Sequence, residues 1–267
     1  MARVKKRRAS GRRSPMAAVV LIGVGLLFTG GIYAGASAAV AATTDSPATA
    51  AALSVDDGKK LFQANCATCH GMDLQGTPNG PSLYGVGELA VEFQVATGRM
   101  PLAMQGPQAQ QKPPQFTEDQ IRAMAAYVQS VAPGPTYPSA QTLDGKGDVP
   151  NGAELFRTNC AMCHNVSGAG GALTEGKFAP ALNDVSALHM YAAMVTGPQN
   201  MPVFGNLNLN LDEKRDIISY LLYLQHNESP GGYGLGSLGP VSEGLFAWIF
   251  GIGTLIGATV WITAKSN

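Results

Sequence analysis

One pentapeptide pattern occurs twice in the chain, as Cys66-Ala67-Thr68-Cys69-His70 and as Cys160-Ala161-Met162-Cys163-His164, and these two copies contain all 4 cysteines of the 267 residues. Two thiols three positions apart can add across the two vinyl groups of one haem. The histidine that follows is then placed to coordinate the iron, so Cys-x-x-Cys-His is the attachment pattern of a c-type haem. A Cys-x-x-Cys pair alone also serves zinc ribbons and thioredoxin-like redox centres, and here the flanks decide. Gly58-x-x-Leu61-Phe62-x-x-Asn65 runs into the first motif and Gly152-x-x-Leu155-Phe156-x-x-Asn159 into the second. The offset is 94 residues (160 − 66), the size of a small domain. A zinc ribbon brings its cysteine pairs within about 15 to 20 residues of each other. In this chain each pair has its own histidine, and the expectation is two covalently bound haem c groups, with iron held by His70 and His164.

The formal charge is zero, with 18 basic and 18 acidic residues, but seven of the basic ones (Arg3, Lys5, Lys6, Arg7, Arg8, Arg12, Arg13) precede residue 14. The rest of the chain has 11 (18 − 7) against 18 acids and is acidic, which offers no basic surface for nucleic acid. Behind the basic leader runs an apolar stretch from Met16 to Tyr33, followed by small residues around Ala36 to Ala41, the pattern of an export signal long enough to stay as an anchor. Near the other end, Leu245 to Ala264 is 20 residues without a charge, with Trp248 and Trp261 near its ends, as in an interfacial belt. At 1.5 Å per residue that is about 30 Å of helix, the thickness of a bilayer core. The positive-inside rule then puts the haem motifs on the outer face of the cell membrane, on a multi-pass chain with two helices, or a single-pass one if the N-terminal segment is cleaved.

Within each repeat the pattern is helical. Ser54 caps a helix carrying Leu61 and Phe62, and Thr117 opens another through Ile121, Met124 and Val128, matched in the second repeat by Ile217, Ile218, Leu221 and Leu222. Tyr127 and Tyr220 occupy matching places. Pro81 and Pro180, in Gly-rich loops after the motifs, are natural suppliers of a carbonyl for the second nitrogen of a ligating histidine. Helices over 88–96 and 187–195 end at Thr97-Gly98 and Thr196-Gly197, and each is followed by Met-Pro. Met100 and Met201 are therefore the expected sixth ligands, since a thioether loop approaching the haem from the opposite side gives His/Met ligation and a raised potential. Met72, Met124, Met162, Met190 and Met194 are expected to fill cores or face solvent. Met104 is the rival in the first repeat, and His189 and His226 are the spare histidines of the second. Residues 102–115 form a Pro/Gln-rich insertion without pattern.

Each repeat resembles a class I cytochrome c domain. Gly58, Phe62, Cys66, Cys69, His70, Pro81, Met100 and Tyr127 fall where that fold has its helix-crossing contacts, haem anchors and ligands, and Gly152, Phe156, Cys160, Cys163, His164, Pro180, Met201 and Tyr220 repeat the set. The implied fold is all-α, two tandem class I cytochrome c domains with N-terminal and C-terminal transmembrane helices. The expected division is a leader and anchor over 1–42, a tether over 43–53, domains over 54–131 and 149–227 joined by an extended Pro-rich linker over 132–148 that lets them stay apart, a Gly-rich segment over 228–243 and a membrane helix over 244–264. The whole architecture resembles the dihaem cytochrome c subunit of the actinobacterial menaquinol:cytochrome c reductase, on Thr97-Gly98-Arg99-Met100-Pro101, Gly197 to Pro202 and Pro230 to Tyr233. That resemblance implies electron relay from a Rieske iron-sulfur protein to the copper-containing subunit of a cytochrome c oxidase, beside cytochrome b, in a proton-translocating complex. Rival readings are a dihaem subunit of another membrane oxidase or of a periplasmic dehydrogenase, a dihaem peroxidase and a haem-based sensor. Two Met-Pro loops predict fully ligated irons and count against the last two.

Overall fold

The computed structural model describes residues 15–44, 53–227, 235 and 240–265. The basic leader, most of the tether and most of the Gly-rich segment lie outside the described residues. The chain divides into two compact units, 1–52 and 53–267. In the first, the uncharged sequence forms one helix, α1 (Pro15–Thr44). Its segment Met16–Ala34, with mean hydropathy 2.1, is long and apolar enough to cross a membrane.

The second unit begins with α2 (Val55–Asn65), α3 (Ala67–His70), α4 (Gly87–Ala96) and α5 (Glu118–Val131). Local chemistry starts α2 and α5. Ser54 Oγ accepts from the Asp57 amide while Asp57 Oδ2 accepts from the Ser54 amide, and Thr117 and Gln120 form the same reciprocal box before α5. The second repeat follows with α6 (Val149–Asn159), α7 (Ala161–His164), a two-stranded antiparallel hairpin β1 (Gly171–Ala172) and β2 (Phe178–Ala179), α8 (Ala187–Thr196) and α9 (Leu211–His226). Asp148 caps α6, and Asn210 with Glu213 boxes the start of α9.

The repeat persists in the packing. α2 crosses α5 at Gly58, where any Cβ would strike the carbonyl of Ala123, and α6 crosses α9 at Gly152, where it would strike the carbonyl of Asp216. Only glycine permits backbones this close. Beside each crossing an aromatic pair fills the gap: Phe62 and Tyr127 have ring centroids 5.6 Å apart at 52°, and Phe156 and Tyr220 have the same separation and angle. Tilted rings at this distance gain more than their buried area alone.

The two repeats touch, although the extended Pro-rich linker would let them stay apart. Leu89 and Phe93 of α4 are buried against Ala192 of α8, with Tyr137 of the linker and Leu188 and Tyr191 of α8 around them. The linker itself is bonded to both sides. Pro135 O accepts from Leu89 N at 3.1 Å, Tyr137 N donates to Glu88 Oε1 at 3.1 Å, and Tyr137 OH donates to Glu92 Oε2 at 2.8 Å. Further on, a 3-10 turn over Ala140–Leu143 leads to Asp144, which pairs with Arg215 of α9, and to Gly147, whose amide donates to Ser219 Oγ. Prolines remove amide donors but leave carbonyl acceptors, so a Pro-rich strand can still be pinned wherever a helix N-terminus or side chain supplies the donor. Burial works to raise the Glu92 carboxyl, and His189 of α8 together with the Tyr137 hydroxyl outweighs it, holding Glu92 below its ordinary range. Leu89→Ala is expected to cost about 2–4 kcal/mol through the cavity left between the repeats, measured as a lowered unfolding temperature in calorimetry.

Beyond a stretch outside the described residues, α10 (Pro240–Phe246), a π-helical turn (Ala247–Ile252) and α11 (Gly253–Lys265) run on as one apolar rod. Its segment Val241–Lys265 has mean hydropathy 1.9 and is also long and apolar enough to cross a membrane. At its end Lys265 Nζ lies 4.8 Å from the Trp261 ring centroid, the arrangement expected of an ammonium reaching for water along an interfacial aromatic.

Candidate cofactor sites

Both cysteine motifs are built alike. The first cysteine closes the preceding helix, its amide bonded to the carbonyl of the repeat's buried phenylalanine (Cys66 to Phe62, Cys160 to Phe156). A single turn of helix then carries the second cysteine and the histidine on one short, rigid element. The loop beyond is fastened to that turn, with Gly76 N donating to His70 O and Gly170 N to His164 O. Thr77 Oγ1 adds a bond to the Cys69 carbonyl.

The proline carbonyls sit where the sequence places them. His70 Nδ1 donates to Pro81 O at 2.8 Å and His164 Nδ1 donates to Pro180 O at 2.9 Å. A carbonyl only accepts, so Nδ1 must carry the proton, and Nε2 of each ring keeps a lone pair for a metal. Burial pushes the His164 pKa down against the opposite pull of its Pro180 bond, which favours the neutral ring. The spacing from histidine to proline is 11 residues in the first repeat and 16 in the second, and the five extra residues (16 − 11) coincide with the β1–β2 hairpin.

Met100 and Met201 each join the apolar cluster that holds the first cysteine of their own repeat, Met100 with Cys66 and Met201 with Cys160. Met100 is fixed by its amide bond to Gln94 O, and Met201 by a bond to Pro198 O. Met104, the rival in the first repeat, is 78% exposed and outside that cluster. Met124, Met190 and Met194 are core residues, while Met72 and Met162 are exposed. Of the spare histidines, His189 lies 3.9 Å from Glu92 Oε1 and also lines the second repeat's cavity, while His226 bonds the Leu222 carbonyl within its own helix.

In the second repeat Cys160, Cys163, His164 and Met201 line one cavity, with Phe156, Leu182, Met190, Phe204 and Leu221 among its apolar walls. Two thiols, a neutral imidazole with a free nitrogen and a thioether around one apolar slot are the donor set a c-type haem takes. The first thiol of each pair sits in apolar surroundings. Burial, and then the neighbouring Cys69, pushes Cys66 up to about 11, and burial with Cys163 does the same for Cys160. Among the described residues no three His, Cys, Asp or Glu side chains cluster as a metal cage.

The 102–115 insertion, patternless in the sequence, is a strap between the two methionine loops. Lys112 N donates to Thr97 O, and its Nζ donates to Pro101 O, just past Met100. At its middle, Gln108 exchanges two bonds of 2.9 Å with the backbone of Phe178, and Ala109 N donates to Gln199 Oε1, two residues before Met201. The first repeat thereby contributes Phe93, Thr97, Arg99, Gln108 and Gln111 to the second repeat's cavity. Gln108→Ala is expected to cost about 0.5–1.5 kcal/mol by exchanging two exposed bonds to Phe178 for bonds to water, read as faster hydrogen exchange at the Phe178 amide.

Residues 55–132 match the family Cytochrome c, and residues 147–221 match the family Cytochrome C oxidase, cbb3-type, subunit III. The chain is 50% identical over 228 residues to the cytochrome bc1 complex cytochrome c subunit of Corynebacterium efficiens, covering 79% of this chain and 77% of that one. Its identity to the corresponding subunit of Mycobacterium tuberculosis is 49% over 217 residues, covering 78% and 77%. The cbb3-type cytochrome c oxidase subunit FixP of Sinorhizobium medicae is 28% identical over 127 residues, 44% of this chain and 41% of that one.

Proposed function

Since the chain belongs to the family of cytochrome c subunits of the cytochrome bc1 complex, with two tandem cytochrome c domains, we propose that it relays electrons through two covalently attached His/Met haems, from a Rieske iron-sulfur centre toward the copper-containing subunit of a terminal oxidase. Membership of that family makes it a haem-binding electron-transfer subunit of a respiratory oxidoreductase. The domains run over 54–131 and 149–227 in this reading. Cytochrome b and the Rieske protein are its neighbours in the complex. The apolar helices at either end anchor it in the cell membrane, with both domains on the outer face.

The observation that carries the reading is the convergence of Cys160, Cys163, His164 and Met201 on one apolar cavity, together with its element-by-element echo around Cys66, Cys69, His70 and Met100. When bound, haem supplies a one-electron couple at its iron, set high by a methionine ligand. The chain's own part is to hold and insulate. The thiols fix the macrocycle to a rigid turn, the Pro81 and Pro180 carbonyls keep the histidine Nε2 lone pairs aimed, and the apolar walls exclude water. With His70 and Met100 holding one iron and His164 and Met201 the other, no position would be left for oxygen or peroxide to be activated, and the role would be transfer. Two membrane anchors replace diffusion with a high effective concentration near the partners. The match of 147–221 to an oxidase subunit family makes a dihaem oxidase subunit the second reading, and the identity to bc1 subunits over most of the chain favours the first.

Mass spectrometry of the denatured chain tests the cofactor half of this account. The chain is expected to be heavier by two haems, and Cys163→Ala by one fewer or by a singly attached one. A chain that loses all haem on denaturation is not built this way. Co-purification with cytochrome b and Rieske subunits tests the assembly half.

A further inference from the structure

Arg99 stands beside the proposed ligand Met100, yet the two side chains serve different repeats. Met100 joins the first repeat's cluster with Cys66. Arg99 is only 7% exposed, its guanidinium carbon lies 5.0 Å from the Phe93 ring centroid, and it lines the cavity of the second repeat together with His164 and Met201. Among the described residues its guanidinium has no hydrogen bond and no ion pair. Asp184, the one carboxylate lining that cavity, does not pair with it. A buried cation without an anion is costly and persists where something absent from the bare chain neutralises it. Stacking on Phe93 orients the fork without supplying a counter-charge.

The group that enters this cavity in the two-haem reading brings its own anions, because haem carries two propionate carboxylates, and one held inside the slot needs a partner. A guanidinium is the side chain best matched to a carboxylate, by its planar pair of donors. We propose that Arg99, a residue of the first repeat, is the counter-ion of a propionate on the haem held by the second repeat. The pairing places a positive charge beside the second haem and so favours its reduced state. It also ties the methionine loop of one domain to the cofactor of the other, alongside the strap through Gln108.

The proposal rests on haem occupying the second repeat, and haem content is therefore counted first on the unsubstituted full-length chain in detergent. Fewer than two haems per chain would overturn the two-haem reading and take the proposal with it. With two present, spectropotentiometric titration is run on Arg99→Met, Arg99→Gln and Arg99→Lys, each also in a Met201→His background where the second haem titrates separately. The two neutral variants are expected to shift the second haem's oxidised-to-reduced equilibrium about tenfold toward the oxidised form, a drop of about 59 mV for one electron. Lysine is expected to restore most of it, which a purely packing role for the side chain would not do. An unchanged second haem, or a shift confined to the first haem through its neighbour Met100, overturns the assignment.

Discussion

Met201→His is expected to lower the midpoint potential of one haem on the order of 0.2 V, within the roughly 0.8 V that axial ligation spans, while both haems stay attached. Imidazole donates more strongly to ferric iron than a thioether does, and the oxidised state gains. At 59 mV per tenfold, such a drop shifts the equilibrium by more than about a thousandfold, and electrons would no longer pass downhill through that haem. In the proposed ligation the iron would stay low-spin, because it would keep two strong ligands. Redox titration of the purified chain reads the shift, and quinol-driven oxygen consumption in membranes is expected to collapse with it. Met104→Leu serves as the control. Met104 is 78% exposed and clear of the cluster that holds Met100, so its replacement is expected to move neither midpoint.

The second large effect is on folding. Gly152→Ala is expected to destabilise the second repeat by about 3 kcal/mol or more, the upper end of the range for overpacking, out of the roughly 5–15 kcal/mol that holds a typical domain together. The obstacle is the Asp216 carbonyl, backbone inside α9 with no rotamer to give way. The helices must therefore move apart, and Phe156 and Tyr220 lose their contact. Gly58→Ala is expected to act likewise on the first repeat, against the carbonyl of Ala123. By contrast, Gly106→Ala meets nothing within 4 Å and is expected to be silent. Thermal unfolding of the haem-loaded chain, followed by circular dichroism, distinguishes the three.

What could be read from the residues is what short-range chemistry determines. The capping boxes at Ser54 and Thr117 are complete within four residues, so they are visible in the sequence and appear in the structure. The twofold Gly, Phe and Tyr pattern is visible because each repeat must solve the same helix-crossing problem, and a repeat shows the solution twice. The proline carbonyls were predictable for the same reason, since a ligating imidazole needs an acceptor behind it.

The contact between the repeats was not predictable. It depends on Leu89 and Phe93 having more apolar surface than their own repeat covers, and a helix pattern in isolation does not say which neighbour covers it. The Pro-rich linker suggested separation because its composition is that of a spacer. Its Pro135 carbonyl and Tyr137 instead find partners on α4, at Leu89, Glu88 and Glu92. The 102–115 strap lacks periodicity because it is held by a few hydrogen bonds at Gln108, Ala109 and Lys112 rather than by a packed face. Arg99 carried no signal of its own, being one cation next to a more conspicuous methionine. Its meaning depends on the direction of a side chain toward a cavity more than 60 residues further along the chain.

The central claim is that both irons are closed, electron-carrying centres, and its most direct test is a combined optical and potentiometric titration of the intact chain in the presence and absence of carbon monoxide. The account predicts two haems titrating at positive potentials, each with the red-edge absorbance band of methionine-ligated ferric iron, and no spectral change when carbon monoxide meets the reduced protein. A high-spin haem, or a reduced haem that binds carbon monoxide readily, would contradict it. Such a result would withdraw Met100 or Met201 from the iron and turn the chain toward peroxidase or sensor chemistry.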